Sequence, residues 1–239
     1  MLLRFPISVS EAQECLAEEA VPIGGATLVW ATWQRDGFPQ RAMSLRDLPE
    51  ANVIGAESLG GAVVLNRVDE RVPDVLRLAA GTIGTGAVRR TATVGGNIVG
   101  SALRCLLPAA LVLDARARVL DADGIHETDL AEVTAKRPLL LSIHWRAPLA
   151  SAYHKAPGEI GGPPQLVVAT ALHADADGRN RLRFAVRDGY DVLSGSVACD
   201  AGTDAGQVQS LLRRQRLGDL PGEAWAAVDE QVCDLLSRA

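Results

Sequence analysis

Aromatic residues are scarce in this chain, at 4% of 239 positions, and there is no excess of basic charge: 24 Lys and Arg stand against 29 Asp and Glu, for a formal net charge of −5. That balance argues against a nucleic-acid binder, which carries a basic face. The arginines come in pairs such as Arg89-Arg90 and Arg213-Arg214, not in runs. No apolar run reaches the roughly 18 residues that a membrane helix needs, so no membrane partner is expected. The opening Met1-Leu-Leu-Arg-Phe-Pro6 lacks a basic segment followed by an apolar one, and no signal peptide is expected. Cys15, Cys105, Cys199 and Cys233 are far apart with no Cys-x-x-Cys, which speaks against zinc or iron–sulfur ligation within the chain. Scattered thiols in an acidic chain fit a reducing, cytoplasmic setting. His126, His144, His154 and His173 show no metal-ligand spacing, so no metal is expected. No repeat with a solenoid period is visible.

Apolar residues make up 48% of the chain, enough to bury a sizeable core. Its most informative feature is a pair of glycine loops, Val21-Pro-Ile-Gly-Gly-Ala-Thr-Leu28 and Thr91-Ala-Thr-Val-Gly-Gly-Asn-Ile98. Each Gly-Gly follows β-branched residues and removes side chains where something approaches the backbone. Two such loops in one small domain suggest an extended polyanion between two rows of backbone N–H groups, and a dinucleotide pyrophosphate is the obvious candidate.

Around the loops, Ser8 to Glu19 reads as a helix capped by Ser8 or Ser10, with acidic residues suited to its positive end. Val21 to Ile23 leads into the first loop, and Leu28 to Trp33 leaves it as a strand or a short helix. Ser44 to Pro49 reads as a short strand ending in a turn, Ala62 to Leu65 as an apolar strand, and Val72 to Ala80 as a helix. A loop from Leu103 leads into a helix starting near Pro108. Ala117 to Gly124 is a strand running into a turn, and Pro138 to His144 is a buried strand. The acidic residues near 121–129 read as a solvated turn. Gly60-Gly61 and Gly161-Gly162 read as turns. Leu166 to His173 and Arg181 to Arg187 form an antiparallel hairpin about Asp175 to Gly178. Helices over Asp204 to Gln215 and Glu223 to Leu236 complete an α+β lobe.

The order of these signals, and above all Val88-Arg-Arg-Thr-Ala-Thr-Val-Gly-Gly-Asn-Ile98 followed by Leu106-Leu-Pro-Ala-Ala-Leu-Val-Leu-Asp-Ala115, resembles the FAD-binding medium subunits of molybdenum hydroxylases, the xanthine dehydrogenase and carbon monoxide dehydrogenase flavoprotein type. The resemblance runs from Phe5 to about Ser196. It implies an α+β fold: a two-subdomain FAD-binding domain of the vanillyl-alcohol-oxidase/PCMH type over residues 1–149, with a subdomain boundary near 50–55, and a smaller α+β lobe over 150–239. Non-covalent FAD would be held by Val21, Pro22, Ile23, Gly24, Gly25, Ala26, Thr27 and Leu28 in the first loop and by Thr93, Val94, Gly95, Gly96 and Asn97 in the second, with both loops offering backbone amides to the pyrophosphate. A β-carbon at Gly95 or Gly96 would fill the space that the phosphates need. Ile83 would lie by the adenine or flavin wall, Leu140 would pack on the isoalloxazine, and Lys155 would sit near the ring's polar edge, where a cation stabilises a reduced ring.

The chain departs from the family pattern in three places. Its first loop reads Gly-Gly-Ala-Thr-Leu where Gly-Gly-Thr-Asp-Leu is usual, Cys105 stands where an FAD-contacting Asp is expected, and Ala156-Pro-Gly replaces a basic pair after Lys155. Cys105 taken alone reads as a small buried hydrophobe, and as a flavin-facing thiol in the sharper reading. Tyr153 reads as core packing and His154 as a residue to test near the cofactor. The function expected is an oxidoreductase subunit relaying electrons through FAD. Molybdopterin and [2Fe–2S] clusters would lie on large and small partner subunits of an oligomeric complex. A stand-alone flavin oxidoreductase and a degenerate structural or assembly subunit without flavin are the alternatives.

Overall fold

A computed structural model describes residues 1–159, 162–200, 202–215 and 220–238. In chain order its elements are β1 (Leu2–Arg4), α1 (Val9–Ala17), β2 (Val21–Ile23), α2 (Val29–Asp36), β3 (Arg41–Ser44), β4 (Ile54–Gly55), β5 (Ser58–Gly60), α3 (Asp74–Gly81), α4 (Gly86–Arg89), α5 (Leu107–Val112), β6 (Arg116–Asp121), β7 (Gly124–Asp129), α6 (Leu130–Lys136), β8 (Leu139–His144), β9 (Ala150–Lys155), β10 (Val167–Ala174), β11 (Asn180–Asp188), β12 (Asp191–Cys199), α7 (Ala205–Arg213) and α8 (Gly222–Arg238). Two units form. One holds Met1–Val72, Ile83–Arg104 and Ala115–Trp145; the other holds Pro73–Thr82, Cys105–Asp114 and Arg146–Ala239. The chain therefore passes between units more than once, because α3 and α5 bury their apolar sides on the sheet of the second unit.

In the first unit, β1, β3 and β2 form a parallel sheet in the order β1-β3-β2. The intervening α1 starts where Ser8, in extended backbone, accepts the Glu11 N–H on its hydroxyl. That cap satisfies one of the orphan donors of the first turn. Ala12 and Cys15 of α1 join Met43, Leu45, Leu48, Leu120 and Leu141 in one buried apolar cluster. A second sheet runs β4-β5-β8-β6-β7 and is antiparallel throughout. Three sequence expectations change here. Residues 45–51 are two 3₁₀ turns after β3, not the continuation of a strand. Ala62 to Leu65 forms no strand: Val64 makes a single bridge to Thr93, and a 3₁₀ turn follows at Leu65–Arg67. The segment read as a solvated turn over 121–129 is mostly β7, whose ladder with β6 pairs Val119 with His126 and Ala117 with Thr128.

The second unit is built on a four-stranded antiparallel sheet ordered β12-β11-β10-β9. The hairpin of β10 and β11 stands where the sequence placed it. The flanking β9 and β12, which the sequence pattern did not indicate, complete the sheet. One face carries Leu172, Leu182, Phe184 and Val186 against Val208, Leu212, Val228 and Val232 of α7 and α8. In the same layer the buried Thr170 hydroxyl donates to Gln231 Oε1 at 2.8 Å, so that neither buried group is left unpaired. The Gly161-Gly162 expectation falls partly outside the described residues.

On the opposite face, His173 of β10 places Nε2 2.8 Å from the Val112 carbonyl, so that nitrogen carries the proton and donates. Burial holds the imidazole below its ordinary 6.5, with the Val112 carbonyl pulling the other way. The sign follows from linkage. Above about pH 6.5 the imidazole is neutral in both states; below it the unfolded chain takes up a proton that the folded chain resists, so stability falls as pH falls. Thermal melts between pH 7.5 and 5 are expected to show that fall, and His173→Gln, whose amide still donates, is expected to make it shallower. His144, also held low by burial, supplies part of the remainder. A variant whose melts fall as steeply as wild type would remove His173 from this account.

Candidate functional site: two glycine loops in contact

The first glycine loop lies flush against the second. A β-carbon on Gly25 would stand 1.6 Å from the Thr91 carbonyl oxygen, and one on Gly24 would stand 2.2 Å from Thr93 Oγ1. Backbone meets backbone here, so the glycines are required by protein packing itself. The second loop is stitched into the unit. Val94 N–H donates to Val63 O at 2.9 Å, Gly95 N–H to Gly61 O at 2.8 Å, and Asn97 N–H to Thr93 O at 3.0 Å. Gly96 N–H donates to Thr93 Oγ1 at 3.1 Å. The chain then winds through a π-helical turn at Gly96–Gly100, a rare geometry that concentrates at functional sites.

This arrangement changes the sequence expectation in two respects. The amides of Val94, Gly95, Gly96 and Asn97 are used within the protein and are not a second row of donors. The atom that a β-carbon on Gly95 would meet first is Gly61 O, at 2.9 Å, not ligand space. Gly60-Gly61, read as a turn, is part of the same construction. A β-carbon on Gly60 would reach Ala51 O at 2.2 Å and one on Gly61 would reach Leu140 O at 2.3 Å. The recurrence of Gly-Gly between the two loops was the available signal.

The first loop is different. Among the described residues the N–H groups of Gly24, Gly25, Ala26, Thr27 and Leu28 form no hydrogen bond within the protein. Gly24, Thr27 and Leu28 are exposed. Ala26 has φ +55°, a left-handed conformation costing an alanine about 1 kcal/mol. Leu28 opens α2 with no side-chain cap, so the positive end of that helix adds to the same surface. Five unpaired donors, two glycines and an uncapped helix start fit a diphosphate.

The remaining expected residues are placed as follows. Val21, Pro22 and Ile23 form β2, paired with β3 through Pro22 opposite Met43. Ile83 and Leu140 are buried in the first unit, and the Ile83 carbonyl accepts from Arg89 Nη1 at 3.2 Å. Asn97 is buried. Cys105 and Lys155 belong to the second unit. Cys105 is buried, in keeping with its reading as a small hydrophobe. The Lys155 ammonium donates to the Thr82 carbonyl at 2.8 Å, a cation seated at the C-terminal end of α3 where the helix dipole favours it. Beside it Tyr153 OH and Thr82 Oγ1 lie 3.0 Å apart, and burial pushes the phenol up to about 12. His154 is exposed, and no group of His, Cys, Asp and Glu suited to a metal ion occurs among the described residues.

Glycine loops and a run of unpaired amides on an α+β scaffold fit a dinucleotide-binding flavoprotein. The model of the FAD-binding domain in molybdopterin dehydrogenase matches residues 3–140, and the chain belongs to that family of oxidoreductase subunits, whose cofactor is FAD. Solved structures of the same fold include reconstituted CO dehydrogenase from Oligotropha carboxidovorans, at 18% identity and TM-score 0.75 over 100% of this chain and 98% of that one. Quinoline 2-oxidoreductase from Pseudomonas putida 86 is 17% identical at TM-score 0.73, over 99% of this chain and 97% of that one. A CO dehydrogenase from Hydrogenophaga pseudoflava, lacking the Mo-pyranopterin moiety, gives TM-score 0.69 and 17% identity over 100% and 96%. No curated protein sequence matches. No helix among the described residues is long and apolar enough to cross a membrane.

Proposed function

We propose that this chain is the flavoprotein subunit of a molybdenum-hydroxylase-type oxidoreductase, binding FAD non-covalently and passing electrons from a metal-containing partner to an acceptor. The observation that carries the reading is the run of five unpaired amides from Gly24 to Leu28 beside Thr91–Thr93. These amides bind the diphosphate, and the packing of Gly24 and Gly25 on the second loop holds them in place before the ligand arrives. When bound, FAD supplies the redox chemistry, and the protein supplies binding and orientation. Electron supply falls to partner chains, a molybdopterin-binding large subunit and a [2Fe–2S] small subunit, in line with the molybdopterin dehydrogenase family to which the chain belongs. A cytoplasmic assembly is in keeping with four free thiols.

The test is reconstitution. Addition of FAD to the purified chain is expected to give saturable quenching of flavin fluorescence near one equivalent and a retained flavin spectrum after gel filtration. A chain that is folded by circular dichroism and takes up no FAD would overturn the proposal.

A further inference from the structure

The chain that is poor in aromatics places three of them on one exposed element next to the first loop. Trp30 and Phe38 are 50% and 47% exposed, Leu28 is 54% exposed, and α2 buries no residue at all. Phe38 lies between two indoles, edge-on to Trp30 with centroids 5.4 Å apart and tilted against Trp33 at 6.1 Å. The cluster is built by a specific turn. Gly37 ends α2 with φ +98° and its N–H on the Trp33 carbonyl, and that left-handed step folds Phe38 back over the helix. A soluble protein that orders an apolar aromatic platform of this kind in water has a use for it.

Position and charge select the occupant. Trp30 follows Leu28, whose amide forms no hydrogen bond within the protein, by two residues, about 3 Å along the helix axis. The platform is thus continuous with the surface that takes the diphosphate. The charges of α2 close on each other, with Arg35 Nε on Asp36 Oδ1 at 2.7 Å, so the patch offers π faces and no net charge. A dinucleotide joins its diphosphate directly to an adenosine, whose neutral, flat base suits such a surface. We infer that Trp30, supported by Phe38 and Trp33, is the stacking platform for the adenine of FAD. The inference rests on the FAD reading above and adds to it the residue that distinguishes a dinucleotide from a mononucleotide. Trp30 acts here through contact with the base and takes no part in electron transfer.

Aromatic stacking of a base is worth enough that its loss is expected to weaken binding about tenfold or more. Titrations of FAD, FMN and ADP against wild type, Trp30→Ala and Trp30→Phe provide the test, with circular dichroism and a thermal melt establishing that each variant is folded. Trp30→Ala is expected to weaken FAD and ADP about equally and to leave FMN unchanged, while Trp30→Phe recovers most of the loss. Quenching of tryptophan emission by ADP, present in wild type and reduced in Trp30→Ala, is an independent readout. Equal weakening of FAD and FMN would place the isoalloxazine on Trp30 and overturn the inference. Unchanged FAD affinity in a folded Trp30→Ala protein would overturn it too, with the FAD reading intact. A wild-type chain that binds no FAD would instead bring down the reading on which the inference stands. Should Trp30→Ala fail to fold, Phe38→Leu carries the same comparison.

Discussion

Gly25→Ala is expected to abolish FAD binding and to destabilise the first unit by roughly 3 kcal/mol, the upper range for overpacking a close-packed site. The added methyl would stand 1.6 Å from the Thr91 carbonyl oxygen, less than half of a van der Waals separation, and the obstacle is main chain that cannot rotate away. Relief requires the two loops to part, which moves the amides of Gly24 to Leu28 out of register with a bound diphosphate. Other glycines supply the controls. Gly24→Ala meets the Thr93 side chain, whose hydroxyl can give way only by releasing the Gly96 N–H, so a smaller loss is expected. Gly81→Ala, at the end of α3, meets nothing within 4 Å and is expected to be neutral or to stabilise by up to about 1 kcal/mol. Urea denaturation and FAD titration of the three variants order these effects. Gly25→Ala with wild-type stability and affinity would show that the loops do not touch in solution.

The glycine pairs were legible because glycine is conspicuous at a close approach, yet the sequence is silent on which partner does the approaching. At Gly95 it is Gly61, which no local pattern connects to it. The difference between the loops was likewise hidden. Both read as amide cradles, but the donors of Val94, Gly95, Gly96 and Asn97 are consumed by carbonyls and a hydroxyl brought from residues 61, 63 and 93, and that is a tertiary fact. Capped or strongly periodic elements came through well: α1 with its Ser8 cap, α3, α5 starting beside Pro108, and the β10–β11 hairpin. Short polar strands did not. The sequence Gly124-Ile-His-Glu-Thr-Asp129 is turn-like in composition and becomes a strand because β6 offers it a ladder. Ala62 to Leu65 is strand-like in composition and forms none, because Gly60 and Gly61 bring the chain against Ala51 and Leu140 first. Trp30 and Trp33 were legible as residues, while their joint exposure and the return of Phe38 through Gly37 depend on the fold.

Phe184→Ala is expected to cost the second unit about 3–5 kcal/mol, the usual loss for emptying a fully buried phenylalanine site. Phe184 has no exposed surface, sits in the middle of β11, and packs 6.1 Å from the Trp225 ring of α8, so its removal opens the interface between sheet and helices. Its cross-strand partner is Gly195 on β12. A β-carbon at Gly195 would stand 2.8 Å from Phe184 Cε1, so the ring takes the space that a side chain on the neighbouring strand would need. The same β-carbon would stand 2.2 Å from Gln215 Oε1, the end of a flexible side chain that can move aside. Gly195→Ala is therefore expected to destabilise by about 1–3 kcal/mol through the ring. The two sites must then couple. In Phe184→Leu the shorter side chain leaves room for the methyl, and Phe184→Leu/Gly195→Ala is expected to be more stable than the sum of its single variants by roughly 1 kcal/mol. Urea midpoints of the four proteins measure that coupling. Strict additivity would mean that ring and glycine do not share this space and that the cost of Gly195→Ala comes from elsewhere on β12.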